Sequence, residues 1–222
     1  MTKLQSANDC IDYVREQTDE VILFCSLGKD SLVLLDMIYP KFKKVYCVFM
    51  YFVKGLEHIE RWVRWVKARY PNVEFIQIPH WNLSYILRSG LYCVANKNIK
   101  LIKLRDVANS MMLKYNIKYC FLGMKKADSM NRRLMLDTYT NHFVNKGFCY
   151  PLTEWTQKEI LAYMSQHNLP EPVRYGKNAS NGVGFNVDCF TWLQEHYPQD
   201  LEKIYKTFPM SRRVLFEHNL KQ

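Results

Sequence analysis

The stretch VILFCSLGKDSLVLLDMIYP, residues 21–40, joins a short apolar run to a helix-like segment through the turn Ser-Leu-Gly-Lys-Asp-Ser. Residues 21–25 have the pattern of a buried strand, and residues 30–38 have that of a helix. A buried strand that enters a helix through a tight turn is a building block of parallel α/β sheets. The stretch therefore decides the fold, and it raises the question of what its turn can bind.

The rest of the chain continues this alternation of strands and helices. Further strands are predicted at residues 44–53, 73–78 and 118–122, and further helices at residues 56–68 and 101–115. Helices that connect parallel strands by right-handed crossovers cover both faces of the sheet. We therefore predict an α/β fold with a doubly wound, mainly parallel sheet and helices on both faces.

The composition is that of a packed globular protein, with 48% hydrophobic residues in a chain of 222. The longest apolar stretches are too short to span a membrane and the polar start has no secretory segment, so we expect a cytoplasmic protein. The seven cysteines are scattered without a Cys-x-x-Cys pair, which predicts reduced thiols and no iron–sulfur cluster. No histidine has the spacing of a zinc ligand set.

The charge balance favours anionic partners. The chain has 31 Lys and Arg against 21 Asp and Glu, a formal net charge of +10. Basic residues concentrate at residues 41–44, 97–105, 125–133 and 203–213. Such clusters attract nucleotides, nucleic acid or acidic surfaces, and each one has the alternative interpretation of an ordinary solvated face.

The turn from Ser26 to Ser31 has the chemistry of an anion site. Gly28 lets the backbone curl, and the N–H groups at the start of the next helix point toward whatever lies above them. Lys29 adds a positive charge, the two serines offer hydroxyl groups, and Asp30 is a candidate ligand for a Mg²⁺ ion carried by a nucleotide. The alternative is structural, with serines that cap the helix and a solvated lysine.

Two other phosphate-binding loops are excluded. A Walker A loop has Ser or Thr directly after Gly-Lys, whereas Asp30 intervenes here. A dinucleotide fingerprint needs three glycines, and Gly28 is the only glycine of the turn.

Three segments in order resemble one family. The turn, the segment FLGMKKADSMNRR (residues 121–133) and the segment CYPLTEWTQKEILAYMSQHNLP (residues 149–170) are similar to the adenine nucleotide α-hydrolase superfamily. Within it, they most resemble phosphoadenosine phosphosulfate (PAPS) reductases and ATP sulfurylase small subunits. The resemblance implies a single nucleotide-binding domain over residues 1–222, with a loop and helical extension from about residue 171.

The resemblance also implies the site. The nucleotide-binding residues are expected to be Ser26, Leu27, Gly28, Lys29, Asp30, Ser31, Gly123 and Lys125. Lys29 and an arginine from Arg132 or Arg133 would stabilise charge during the reaction, and which arginine points inward is left open. Thr156 and Glu159 form a capping box for a helix to about residue 167, and Trp155 is expected to fill the core or the pocket wall.

The chain also departs from the family pattern. The Glu-Cys-Gly segment of the reductases does not occur in the tail, which argues against thioredoxin-linked reduction. After the second strand the family usually has an Asp-Thr-Gly turn followed by a glutamate. Here only Gly55 and Glu57 correspond to these residues. Cys189 is a candidate reactive thiol if Arg174 and Lys177 lower its pKa, and a structural thiol is the alternative.

These observations predict an enzyme that binds ATP with Mg²⁺, or a related adenine nucleotide, and releases pyrophosphate. The acceptor of the adenylyl group would be sulfate, a carboxylate or a nucleobase carbonyl. One alternative is an enzyme that binds adenosine phosphosulfate (APS) or PAPS. The other is a nucleic-acid modification (sulfuration) factor, or a noncatalytic nucleotide-binding protein partner of one, to which the net charge also points.

Overall fold

A six-stranded sheet with the order β3-β2-β1-β4-β6-β5 lies at the centre of the fold. The strands are β1 (Glu20–Phe24), β2 (Lys44–Tyr51), β3 (Val73–Pro79), β4 (Cys120–Leu122), β5 (Val144–Asn145) and β6 (Phe148–Cys149). β1 pairs in parallel with β2 and β4, β4 pairs in parallel with β6, and β5 runs antiparallel to β6. The predicted mainly parallel sheet is confirmed.

The structure is a computed structural model and describes residues 2–139, 142–172 and 184–220. The helices in these ranges are α1 (Lys3–Arg15), α2 (Lys29–Ile38), α3 (Glu57–Arg69), α4 (Leu83–Ser89), α5 (Leu104–Tyr115), α6 (Met130–Leu136), α7 (Gln157–Gln166), α8 (Val187–His196), α9 (Pro198–Thr207) and α10 (Arg213–Asn219). Helices surround the sheet, as the α/β prediction requires. Among the residues described, no helix has the length and apolar character needed to span a bilayer.

The chain divides into two compact units. The first unit consists of Met1–Phe49, Lys67–Ile76 and Ala108–Pro172 and contains most of the sheet. The second unit consists of Met50–Val66, Gln77–Val107 and Val173–Gln222. The single nucleotide-binding domain with a C-terminal extension stays a prediction, and the two units are described separately below.

The opening stretch forms the core of the first unit. Val21, Ile22 and Leu23 of β1 have no exposed surface, because a central parallel strand is covered on both faces. The helix that follows is buried almost all round, and its fully buried side chains are Leu32, Val33, Leu34, Leu35 and Ile38. A helix that is buried on nearly every side lies inside the protein, so this stretch holds the preceding turn in place.

The strand order places two chain segments at one crevice. The chain passes from β1 outward to β2 and β3, and then returns to the other side of β1 with β4. Ligands of open α/β sheets bind beyond the carboxyl ends of the strands at such a reversal of order. Residues 26–31 follow β1 and residues 123–125 follow β4, so the topology brings these two predicted site segments together within the first unit.

Several element boundaries differ from the sequence prediction. Helix α5 begins at Leu104 and not at residue 101, because the Asp106 carboxylate accepts a hydrogen bond from the main-chain N–H of Lys103 at 2.9 Å. Strand β2 ends at Tyr51 and β4 begins at Cys120, so both strands are shorter than predicted. The predicted capping box of Thr156 and Glu159 and the burial of Trp155, which is 3% exposed, are confirmed.

Candidate active site

The start of α2 presents main-chain N–H groups without a side-chain cap. Gly28 is the N-cap residue, and no side chain in the described ranges caps the helix there. The Ser31 hydroxyl donates to the carbonyl of Gly28 at 2.9 Å, so this serine braces the turn from within. The N–H groups of the first helical turn are therefore placed to bind an oxyanion.

Leu27, and not Gly28, provides the curl of the turn. The φ of Leu27 is 60°, in the left-handed region that non-glycine residues rarely adopt, whereas Gly28 is extended with φ −82°. The Leu27 side chain is only 2% exposed, and this burial helps to offset the cost of the backbone conformation. The expectation for Gly28 was wrong on this point. What glycine contributes there is the absence of a side chain beside the helix amides.

The segment after β4 lies directly against the turn. A Cβ atom built on Gly123 would lie 3.4 Å from the carbonyl carbon of Asp30 and 3.5 Å from the amide nitrogen of Ser31. A methyl group at position 123 would therefore be in ordinary van der Waals contact with the main chain of residues 30 and 31, so the two segments lie side by side. This arrangement brings together two segments that are far apart in the sequence, as their common assignment to one site predicts.

Lys125 is the most buried charged residue of the site. It is 2% exposed, and its Nζ lies 2.6 Å from Oδ1 of Asp30 and 2.9 Å from Oδ1 of Asp128. Lys29 Nζ lies 3.1 Å from the other oxygen of Asp30. A buried ammonium group needs such partners because its removal from water is costly. Two ammonium groups, one from each segment, thus converge on the Asp30 carboxylate.

Asp128 is a site residue that sequence reasoning missed. Its Oδ2 accepts the main-chain N–H of Lys125 at 3.0 Å and also contacts the guanidinium group of Arg132. Burial raises the pKa of the Asp128 carboxyl, but the hydrogen bonds and charges of Lys125 and Arg132 outweigh burial, and the pKa lies below its ordinary value. The signal in the sequence is the Lys-x-x-Asp spacing, which closes a single turn.

The two candidate arginines differ in their contacts. Both are exposed on α6. Arg132 is tied to the Lys125 cluster through Asp128, whereas no ion pair of Arg133 occurs within the described part of the chain. The neighbouring Lys126 is held by carboxylates at 2.7 Å and 2.6 Å, from Asp137 and Glu154. Of the basic residues in this segment, Lys125 and Arg132 are therefore the ones connected to the turn.

The turn does not form a Mg²⁺ site by itself. Both oxygens of Asp30 face ammonium groups, and no group of three or more His, Cys, Asp or Glu side chains that could hold a metal occurs in the ranges described. Mg²⁺ prefers several oxygen ligands and keeps much of its water. A Mg²⁺ ion at this site would therefore be held by the phosphate oxygens of a nucleotide.

Cys189 lies in the second unit, near the start of α8. It is fully buried, and burial raises the pKa of its thiol to about 11. A nucleophilic thiol needs the opposite shift. The basic residues expected to lower this pKa, Arg174 and Lys177, lie outside the described residues. The contacts of Cys189 therefore favour the structural alternative.

Glu57 likewise has a structural setting in the second unit. It begins α3, its carboxylate contacts Arg64, and its main-chain N–H donates to Asp200 at 2.9 Å. Gly55 precedes it with φ +71°. These contacts describe the entry into a helix.

Comparison with known proteins assigns the chain to a family. A sequence model of the phosphoadenosine phosphosulfate reductase domain matches residues 20–178, so the chain belongs to this family. Among curated relatives, an adenosine 5'-phosphosulfate reductase of Bacillus cereus is 26% identical, covering 70% of this chain and 68% of that protein. A protein of the same name from Geobacillus thermodenitrificans is 27% identical, covering 73% of this chain and 70% of that protein.

One solved structure supports the fold. The Candida glabrata FMN adenylyltransferase in complex with ATP superimposes with a TM-score of 0.51 at 14% identity, covering 82% of this chain and 61% of that one. At this identity the likeness concerns the arrangement of strands and helices. It agrees with the mainly parallel sheet described above.

Proposed function

We propose that the chain is a nucleotide-binding enzyme that cleaves ATP at the α-phosphate, transfers the adenylyl group to an acceptor and releases pyrophosphate. The observation that supports this proposal is that uncapped helix amides and two lysines lie together at the β1/β4 reversal. An uncapped helix start with adjacent cations suits a chain of phosphates better than a neutral ligand.

Each residue of the turn has a role in this proposal. The N–H groups after Gly28 and the ammonium group of Lys29 bind the β- and γ-phosphates. Ser26 is exposed at the rim and offers its hydroxyl group, while Ser31 keeps the turn closed. Gly123 keeps the segment after β4 close to the main chain of Asp30 and Ser31. Lys125 reaches the phosphates when it exchanges its contact with Asp30 for a contact with the ligand.

In the proposed reaction an acceptor oxygen attacks the α-phosphorus, and the bond from that phosphorus to the bridging oxygen of the β-phosphate breaks. The electron pair leaves with pyrophosphate. Lys29, Lys125 and Arg132 stabilise the negative charge that grows on this oxygen and on the equatorial oxygens. A Mg²⁺ ion bound to the phosphates would supply further positive charge. Catalysis is then a matter of position and electrostatics, and no side chain has to be a strong base.

The second candidate is an enzyme that acts on a sulfated adenine nucleotide. It is favoured by the curated relatives, which carry the name adenosine 5'-phosphosulfate reductase. APS and PAPS would place a sulfate or phosphate group on the same amides and lysines. The two candidates therefore share the site and differ in the ligand that it prefers.

Calorimetric titration with ATP, AMP, APS and PAPS, with and without Mg²⁺, tests both candidates. Adenylyl transfer predicts that ATP binds at least tenfold more tightly than AMP and that acceptor-dependent pyrophosphate release is detectable. A preference for APS or PAPS over ATP would replace the first candidate by the second. If none of the four nucleotides binds, the crevice is not a nucleotide site.

A further inference from the structure

The second unit carries a basic surface that the proposed nucleotide site does not use. From residue 77 to residue 105 the chain contains no Asp or Glu. The basic residues of the same segment are Arg88, Lys97, Lys100, Lys103 and Arg105, and all except Arg88 are exposed. A segment of this composition creates a positive potential that attracts a polyanion.

The loop that carries these lysines is attached to α4. The N–H of Ile102 donates to the Ser84 hydroxyl at 3.0 Å, and the Arg88 side chain donates to the carbonyl of Ile99 at 2.7 Å. These bonds attach Ile99 and Ile102 to the helix, so the backbone on either side of Lys100 is held in place. A fixed backbone loses less conformational entropy when its side chains bind a ligand.

Apolar side chains are exposed beside the lysines. Val94 is 83% exposed, Leu101 is 51% exposed, and Tyr85 of α4 is 53% exposed. Leu91 and Ile102 are exposed in the same segment. Exposed apolar side chains that concentrate in one segment mark an interaction surface more often than singly scattered ones do. The partner should therefore offer apolar faces as well as negative charge.

Residues from the C-terminal segment border this loop within the second unit. The guanidinium carbon of Arg213 lies 5.4 Å from the centre of the Tyr92 ring, a cation–π arrangement. The main-chain N–H of Met210 donates to the carbonyl of Tyr92 at 3.1 Å, and the Met210 side chain is exposed. One more cation and one more apolar side chain therefore join the surface.

We propose that this surface, formed by residues 83–105 with Met210 and Arg213, binds single-stranded nucleic acid. Its lysines neutralise phosphates, and Tyr85 and the aliphatic side chains contact bases that are not stacked in a duplex. The base faces of a duplex are stacked on one another, so a duplex would contact these lysines mainly through its phosphates. An anionic lipid surface would attract the same lysines, and it is one of the outcomes that the test distinguishes. The proposal does not depend on the reaction proposed above.

Fluorescence anisotropy with labelled oligo-dT, oligo-U and a duplex of equal length, measured at increasing KCl, tests this surface. Single strands should bind more tightly than the duplex, and the logarithm of the affinity should fall linearly with that of the salt concentration. The variant Lys97→Gln/Lys100→Gln/Lys103→Gln should lower this slope by about two, at about 0.7 for each phosphate that is no longer neutralised. Tyr85→Ala should weaken single-strand binding by about fivefold or more and leave the slope unchanged.

The matched control is Lys67→Gln/Lys118→Gln/Lys158→Gln, which removes the same charge from exposed positions of the first unit. It should leave the salt slope within about 0.5 of the unmodified chain. If the two triple variants change the salt slope equally, the binding depends on net charge alone and the proposal is overturned. Failure of every oligonucleotide to bind would also overturn it, including the case in which vesicles of anionic lipid do bind. The first triple variant should bind ATP as tightly as the unmodified chain does. This measurement distinguishes loss of oligonucleotide binding from failure of the nucleotide site.

Discussion

Asp30 links the two segments of the candidate active site at the scale of single residues. It lies in the turn after β1, and its carboxylate holds Lys29 on one side and Lys125 on the other. The positions of both ammonium groups thus depend on one acid within the turn. Substitutions of the two lysines should have different effects, because Lys29 is more exposed and Lys125 is buried.

Lys29→Ala should weaken ATP binding at least tenfold while the melting temperature changes by no more than about 2 °C. An incompletely buried lysine contributes little to stability, whereas a charge-assisted contact to phosphate contributes much more to binding. Calorimetry and thermal unfolding measure the two effects. Lys67→Ala removes an exposed lysine from the same unit and should change neither one. Unchanged ATP affinity in the Lys29 variant would remove this turn from the site.

Lys125→Met should lower the free energy of unfolding by about 2–3 kcal/mol, because it leaves two carboxylates without the ammonium group between them. Lys126→Met is the matched control, since Lys126 also has two carboxylate partners but its side chain is 23% exposed. The Lys126 variant should lose about 1 kcal/mol or less of its free energy of unfolding. Urea unfolding of both variants measures the difference. Equal losses would show that burial of Lys125 adds nothing to its ion pairs.

At the scale of elements, α7 is fixed by local signals. Thr156 is its N-cap residue, and the Glu159 carboxylate accepts the main-chain N–H of Thr156 at 2.6 Å. Lys3 of α1 lies 2.7 Å from the same carboxylate, and its ammonium group is the main reason that the pKa of Glu159 falls to about 2. The helix start is therefore stabilised by its own capping box and by a residue of α1.

Thr156→Ala should lower the free energy of unfolding by about 1 kcal/mol, because the N-cap hydroxyl group that donates to the Glu159 carboxylate is lost. Thr156→Ser keeps the hydroxyl group and should stay within about 0.5 kcal/mol of the unmodified chain. Chemical denaturation compares the two variants. A serine variant as unstable as the alanine variant would show that the methyl group, and not the cap, is what matters.

The elements that could be predicted are those whose signals are local. An apolar run, a largely apolar helical segment and a capping box predict β1, α2 and α7, and the structure has all three. The start of α5 depends on the Asp106 carboxylate, which the periodicity of the apolar residues does not reveal. In the site, the turn was predicted, but the left-handed backbone of Leu27 was not, because no pattern of apolar residues marks it. Asp128 lies only three residues from Lys125, and its role depends on the contact of that lysine with Asp30 in a distant segment. Such packing leaves no periodic pattern.

At the scale of the whole molecule, stability at acidic pH depends in part on a buried pair in the second unit. His58 Nδ1 lies 2.9 Å from Oδ2 of Asp200, which also accepts the main-chain N–H of His58 at 3.0 Å. Burial lowers the pKa of His58, although the Asp200 carboxylate opposes this shift. Burial raises the pKa of Asp200, but the hydrogen bonds from Glu57 and His58 outweigh it, and the pKa of this carboxyl is lowered.

These shifts give the sign of the pH dependence. The folded chain holds its protons less tightly at both groups, so the stabilisation is complete above the pKa of an unfolded histidine, about 6.5. It is lost as the pH falls below this value, first through His58 and then through Asp200. Melting temperatures at pH 7 and pH 5 should therefore fall more for the unmodified chain than for His58→Asn. His142→Asn, at an exposed position, should keep the full decrease, and an equal decrease in both variants would contradict this assignment.

The carboxylate of Asp30 has one more consequence for ligand choice. It already occupies the lysines with a single negative charge shared over two oxygens. A ligand must replace the Asp30 carboxylate as the partner of Lys29 and Lys125. A ligand with a single weak negative charge gains little from this exchange. The adjacent anionic groups of a di- or triphosphate together attract the two lysines more strongly than the single Asp30 carboxylate does. If the turn binds phosphates as we propose, the acid within it favours nucleotides that carry several negative groups in a row.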